Sequence, residues 1–467
     1  MKKILPSFIV LVLASSIIFL TKFNGLYGQD AHEYYRYSKA LLSFFETGKN
    51  PGDYFWPVWY PLLGACISFV THINVLLTLQ IVSVFSLAVI VWVVAAWKHV
   101  SQKNQKIQLA FALIAVGFSP FILREGIVCM SDTLSIALVL LALYSAQNFL
   151  IAENTSWLFG FAAFAALAFM TRYATAVILF PFSLLIAYHL FLKKEFLKFI
   201  PVIVIVAVIF LPHFLIRLDA PIAFVHHEWL KEWSVSNFFK REFTTHDGTT
   251  YYLLPNFIFV FVNVIHPSFW VLGIPLLFCV KREDFSGLIP KVFLISVLLY
   301  AFFLAGIPFQ NKRFLLMSFP LIVILFYPAF VRLLRSTNKK NAVYSLVILL
   351  HLILFVSSFK EFYQRNSLEK NLSALVAQYP DSVLYSFDID VAIKSYGTTK
   401  TIENLWQRKF EEFQTPAMVL FNETKFQTQW RNKNPMLNWN EIKKSYNLEP
   451  LAIRKDGWEL FRIVSKK

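Results

Sequence analysis

The chain has 467 residues, 57% of them hydrophobic and 15% charged, with a formal net charge of +16 and a mean hydropathy of +0.56. Soluble domains carry about 25% charged residues, so the composition excludes a soluble enzyme and indicates a polytopic membrane protein. The positive balance is that of basic loops flanking membrane spans, and no nucleic-acid partner is expected.

At ~20 residues per crossing, apolar stretches near 4–21, 74–97, 107–123, 132–151, 156–170, 173–192, 197–216, 257–280, 288–305, 314–331 and 342–359 predict about eleven transmembrane helices. Residues 61–71 are too short to cross and predict a half-helix. Residues 1–28 read as a retained first span, because no small-x-small cleavage site precedes Gln29. Lys2-Lys3, Lys98/Lys103/Lys106, Lys193-Lys194/Lys198, Lys281-Arg282 and Arg332/Arg335/Lys339-Lys340 fall on one side when these spans are threaded. Basic loops stay cytoplasmic. The N-terminus is therefore expected inside, with loops 22–60, 124–131, 217–256 and 306–313 and the tail from 360 outside. Cys66, Cys129 and Cys279 form no CxxC pair and read as small buried side chains.

Lys, Asn, Asp, Glu and Gln recur throughout the tail from Lys360, and no span-length apolar run remains. Ser382–Phe387 and Met418–Phe421 predict short buried strands, Glu423–Lys433 and Asn440–Tyr446 helices. Leu448–Arg454 and Trp458–Val464, joined by Lys455-Asp456-Gly457, predict a terminal hairpin. The expected fold is thus an all-α polytopic membrane domain over 1–359 with a small extracytoplasmic α/β domain over 360–467.

In loop 22–60, Ala31, Tyr34/Tyr35, Ser38, Leu41/Leu42 and Phe45 recur at helical spacing, while Glu33, Arg36 and Lys39 fall elsewhere. This predicts an interfacial helix with Asp30 at its N-cap, ending near Gly48. Trp56-Pro57 and Tyr60-Pro61 then lead into the half-helix. Met130-Ser131-Asp132-Thr133-Leu134 opens a span, as does Lys312-Arg313-Phe314-Leu315-Leu316, and Met170-Thr171-Arg172-Tyr173 is followed by Leu179-Phe180-Pro181. The order of these motifs over about residues 1–330 resembles the GT-C class of integral-membrane glycosyltransferases. It is most similar to the bacterial members related to dolichyl-phosphate-mannose protein mannosyltransferases and lipid A aminoarabinose transferases. The tail from 360 carries no such likeness.

The resemblance implies a bacterial inner-membrane enzyme that takes a sugar from a polyprenyl-phosphate donor on the outer face. The sugar would pass, with inversion, to a hydroxyl on a glycan, lipid or protein acceptor. It also implies that Asp30 is the catalytic base. An acceptor hydroxyl must lose its proton as it attacks the anomeric carbon, and a carboxylate within hydrogen-bond reach can take it; the plain alternative is that Asp30 only caps its helix. A retaining mechanism would need a second, close carboxylate. The leaving phosphate calls for cations in a partly dry site, for which Arg172, Lys312, Arg313 and Arg124 stand at the expected outer boundary. Contact with lipid headgroups is their alternative role. Asp132 and Glu33 are candidates for a second acid facing the acceptor, Asp132 having a span cap as its plainer role. The resemblance leaves metal open, since some relatives use a divalent cation and some do not. His226-His227-Glu228 and His246-Asp247 fit no established zinc spacing, and their loop, with Trp229, Trp233, Phe238 and Phe239, suits a segment lying on the interface over the site.

Two other classes compete. A polyprenyl-linked sugar flippase or coupled transporter would bury acids and bases near the bilayer midplane, whereas here they gather at span ends. An O-antigen ligase or polymerase would place its long loop late in the chain and not after the first span.

Overall fold

The first helices follow from uninterrupted apolar composition and from asparagine caps. In the computed structural model, which describes residues 2–52, 54–97, 105–217, 228–245 and 247–467, α1 (Leu5–Thr21) leads into α2 (Gly28–Thr47), and α3 (Trp59–Thr71) is the expected half-helix. Asn74 caps α4 (Val75–Ala96) by accepting from Leu76 N at 2.8 Å. The expectations resting on Asp53, Lys98, Lys103, His226, His227, His246 and the side chains of Glu228 and Trp229 lie outside the described residues.

The stretch expected to cross at 107–123 is broken. α5 (Gln105–Ala112) runs on through a π-turn over Leu113–Gly117, and α6 (Pro120–Ile127) restarts at an angle of 66°. Pro120 explains the break: it lacks the N–H that would continue the ladder, yet its fixed φ suits a new first turn. α7 (Ser131–Ala152), α8 (Thr155–Thr171), α9 (Thr175–Leu192) and α10 (Phe199–Ile216) follow.

Beyond α11 (Glu228–Lys231), an unexpected hairpin pairs β1 (Glu242–Thr245) with β2 (Gly248–Tyr251). The stretch at 257–280 is interrupted as well. α12 (Asn256–Asn263) and α13 (Trp270–Leu277) flank a short turn opened by His266-Pro267. α14 (Leu288–Gly306), α15 (Lys312–Leu315), α16 (Phe319–Ser336) and α17 (Lys340–Ala377) complete the helical part. Among the described residues, eight helices, or nine with the bent pair taken as one, are long and apolar enough to cross a bilayer. α1 and α8, at 17 residues each, sit at the short end of span length. The protein is an integral membrane protein with the mainly helical architecture the composition predicts.

α17 extends well past the expected end at 359, because its polar second half keeps a helical apolar spacing at Leu368, Leu372, Leu375 and Val376. After it come β3 (Val383–Ser386), α18 (Asp390–Ser395), β4 (Thr401–Asn404), β5 (Ala417–Phe421), α19 (Glu423–Phe426), α20 (Asn434–Ser445), β6 (Tyr446–Ile453) and β7 (Glu459–Lys466). They form one sheet of order β4-β3-β5-β7-β6, with β3 parallel to β4 and β5, and β7 antiparallel to β5 and β6. The predicted strands and terminal hairpin are present; Gly457, at φ +82°, supplies the left-handed turn residue. The helix expected over Glu423–Lys433 is only the single turn of α19. Leu384, Met418, Leu420, Trp439, Trp458 and Leu460 are buried in the core of this layer.

The chain packs as two compact units. Met1–Leu26, Tyr37–Phe239 and Asn256–Glu361 make the first, and Tyr27–Arg36, Lys240–Pro255 and Phe362–Lys467 the second.

Candidate active site

In the first unit, a single carboxylate draws together two cations distant in sequence. Met130 is extended and holds the cap position of α7, so Asp132 lies in the first turn and does not cap the helix. Its Oδ1 accepts from Arg172 Nη1 at 2.6 Å, and its Oδ2 accepts from Arg313 Nε at 2.9 Å and Nη2 at 2.7 Å. The Asp132 side chain is 5% exposed, against 16% for Arg172 and 18% for Arg313. The cluster is therefore a nearly dry, hydrogen-bonded group with one surplus positive charge.

Each arginine is held by local structure. Arg172 ends α8 in an extended conformation (φ −153°, ψ 119°), and its guanidinium lies 5.4 Å from the Phe314 ring centroid. Arg313 sits in α15, whose Asn311 cap accepts from Arg313 N at 2.9 Å. Tyr300 Oη donates to Phe314 O at 3.0 Å and fixes the same turn.

The other two expected cations have different surroundings. Arg124 donates to the buried Glu125 at 2.6 Å and lies over the Phe121 ring. Lys312 Nζ stands 5.9 Å from the Trp270 ring centroid, while its carbonyl accepts from His266 Nε2 at 3.0 Å. His266 Nδ1 accepts from Ser268 N, which assigns the proton to Nε2. Arg217, to which sequence reasoning gave no role, donates to the carbonyls of Tyr54 and Trp56 and so ties down the aromatic-proline run. Tyr60 of that run is buried and donates to Leu79 O at 3.1 Å.

Asp30 and Glu33 belong to the second unit. Asp30 is half-buried in the first turn of α2, and not at its cap as the sequence suggested, because the helix already starts at Gly28, whose φ of +63° turns the chain into it. Glu33 accepts from Arg36 Nε at 2.7 Å and from its Nη2, an i,i+3 pair on the helix surface. Beside them, the imidazole of His32 is fully buried, with Nε2 3.0 Å from Glu369 Oε2 and Nδ1 2.5 Å from Ser395 Oγ. Arg365 donates to Glu369 at 2.6 Å and to Asp388 at 2.9 Å, and Lys425 donates to Asp388 at 2.5 Å. Burial pushes Asp388 upward, but Arg365 and Lys425 outweigh it and hold the carboxyl below its ordinary range. Asp390 goes the other way: burial raises it, and neither Lys394 nor the Asn404 amide compensates. No group of three or more His, Cys, Asp or Glu side chains that could hold a metal occurs among the described residues.

The fold is that of the GT-C membrane glycosyltransferases, as the order of the sequence motifs implied. Residues 57–216, about a third of the chain, match the family described as dolichyl-phosphate-mannose-protein mannosyltransferase. The structure is similar to the crystal structure of ArnT from Cupriavidus metallidurans bound to undecaprenyl phosphate, with a TM-score of 0.61 and 13% identity over 98% of each chain. It is equally similar to apo ArnT from the same organism, with a TM-score of 0.60 and 13% identity over 97% of each chain. No curated protein matches by sequence.

Proposed function

We propose that the protein is an inverting glycosyltransferase that moves a sugar from a polyprenyl-phosphate donor to an acceptor hydroxyl on the outer face of the membrane. The N-terminus is cytoplasmic and the second unit extracytoplasmic. The observation that carries this reading is the convergence of Arg172 and Arg313 on Asp132. Asp132 holds both guanidiniums in place before substrate arrives, and two guanidiniums on one carboxylate give the cluster the net positive charge that suits a departing lipid phosphate. Lys312, on the same short helix as Arg313 and with its Nζ 5.9 Å from the Trp270 ring centroid, adds a second cation to that helix.

Asp30 takes the acceptor proton as the oxygen attacks the anomeric carbon from the face opposite the phosphate; the C–O bond to phosphate breaks and the polyprenyl phosphate departs as an anion. One base suffices, because phosphate leaves without strong protonation. Glu33, engaged with Arg36, serves the helix and not the reaction. The likeness to ArnT with bound undecaprenyl phosphate supports the donor class.

The test is incubation of the purified full chain with a panel of polyprenyl-phosphate sugars and candidate acceptors, reading release of polyprenyl phosphate. Release that depends on acceptor, and that is lost in Asp30→Asn, is expected. Acceptor-dependent transfer at the wild-type rate by Asp30→Asn would remove Asp30 as the base.

A further inference from the structure

Asp30 lies in the first turn of α2, where helix ends fray most readily, so contacts from outside the helix bear on where it points. The segment Tyr27–Arg36 packs with the C-terminal residues of the second unit. Tyr27 stacks on Phe362 with ring centroids 3.5 Å apart and planes within 7°. His32 is gripped at both ring nitrogens, by Glu369 and by Ser395, and Tyr396 meets its ring edge-on at 5.4 Å. The three bonded side chains are 0%, 1% and 6% exposed for His32, Glu369 and Ser395.

We propose that His32 is a positioning residue for Asp30, anchored by Glu369 and Ser395 of the C-terminal unit; the proposal rests on the reading of Asp30 as general base. At about 100° per residue, Asp30 and His32 project from nearly opposite sides of the helix. The anchor can therefore lock the turn without using the carboxylate that must meet the acceptor. Glu369 is itself held by Arg365, and Arg365 by Asp388, which Lys425 also grips. The alternating charges make a braced chain that runs from α2 into the loop after β3.

Serine, histidine and glutamate in this order also have the pattern of a hydrolase triad. Burial rules that use out, since a nucleophile needs room for a substrate and Ser395 Oγ spends its surroundings on His32 Nδ1 and on Ala392 O at 2.9 Å. The role left is mechanical. Because the Glu369 carboxylate only accepts, His32 Nε2 carries a proton. Glutamine sets an amide N–H near that position, so His32→Gln keeps the bond to Glu369 while His32→Ala removes it.

The experiment compares wild type, His32→Ala, His32→Gln and Ser395→Ala as full chains in lipid nanodiscs. It reads hydrogen exchange by mass spectrometry and steady-state transfer from whichever polyprenyl-phosphate sugar the donor panel identifies. His32→Ala is expected to speed exchange over 28–36 roughly tenfold, with β3 and β5 unchanged. Its kcat should fall about 10²-fold, the cost of a misplaced catalytic group, with KM for the donor unaltered, and His32→Gln should recover most of the loss. Wild-type kcat in His32→Ala, or exchange that rises across the whole unit, overturns the proposal. Should His32→Ala fail to fold, Ser395→Ala carries the comparison, and wild-type kcat with unchanged exchange over 28–36 in that variant refutes the proposal. If wild type transfers sugar from no donor, the base reading fails, and the exchange data alone decide the anchor: unchanged protection over 28–36 sinks it.

Discussion

Replacing Asp132 by Asn keeps the size of the side chain and one oxygen acceptor while removing the charge between Arg172 and Arg313. Breaking a buried ion pair by neutralising one partner costs about 3–5 kcal/mol. Both arginines keep roughly a sixth of their side-chain surface exposed, so the lower end, about 3 kcal/mol, applies. The same change should help the ligand. A phosphate seated about 5 Å from the carboxylate meets a repulsion of about 3 kcal/mol at an effective dielectric constant near 20. Removing it favours the anion, while the loosened guanidiniums give part of that gain back, leaving roughly tenfold tighter binding, or about 1.4 kcal/mol. Thermal unfolding in detergent, followed by tryptophan fluorescence with and without polyprenyl phosphate, reads both effects. Asp132→Asn should melt below wild type without lipid and gain more from lipid than wild type does. Equal melting and equal lipid shifts would refute the idea that Asp132 organises a phosphate seat.

Other outcomes follow from the same geometry. Asp30→Asn should lower transfer by about 10²–10⁴-fold with polyprenyl-phosphate binding unchanged, as measured by lipid titration. Arg172→Lys keeps charge but loses the planar fork and the stacking on Phe314; donor KM should rise about tenfold, a loss of about 1.4 kcal/mol, in initial-rate assays. In the second unit, Asp388 titrates below its ordinary 3.8, so its contribution to stability is present above that pH and is lost as pH falls through the lower folded value. The acid side of the melting curve should flatten in Asp388→Asn. Asp390 titrates above 3.8, so folding is favoured below that pH and penalised once pH rises through the raised folded value. Asp390→Asn should therefore melt above wild type at pH 7, and the advantage should vanish below about pH 4 in a pH series of thermal melts.

The spans were legible because crossing a bilayer demands long apolar runs, and α4, α7, α9, α10 and α14 satisfy that demand without interruption. The two broken stretches were not, since hydropathy is blind to a bend. Pro120 and His266-Pro267 were the local signals for both breaks, and neither interrupts the apolar average. In the tail, Asp456-Gly457 announced the hairpin, and the apolar run at Met418–Phe421 announced a strand buried on both faces. Thr401–Asn404 gave no such sign, being four residues at the edge of the sheet with one face wet. α17 misled in the other direction: its hydropathy falls at Lys360, yet its helix-favouring residues and its spaced leucines carry the helix into the second unit.

Asp132, Arg172 and Arg313 could each be picked out singly, as charges at the ends of apolar runs, but their meeting could not. Arg172 lies 40 residues from Asp132 and Arg313 lies 181, and no local pattern encodes which span ends become neighbours. Their burial is what gives the encounter its meaning: charges this dry must be paired, so an acid at one span end requires a base at another, and here two bases share one acid. His32 is the stronger case. Its neighbours in sequence suggest only a polar position on an interfacial helix, and its partner Glu369 stands 337 residues away. A buried imidazole bonded at both nitrogens is costly to misplace, because each lost bond strands a polar group away from water. That cost gives the helix turn carrying His32 and Asp30 one preferred position rather than several.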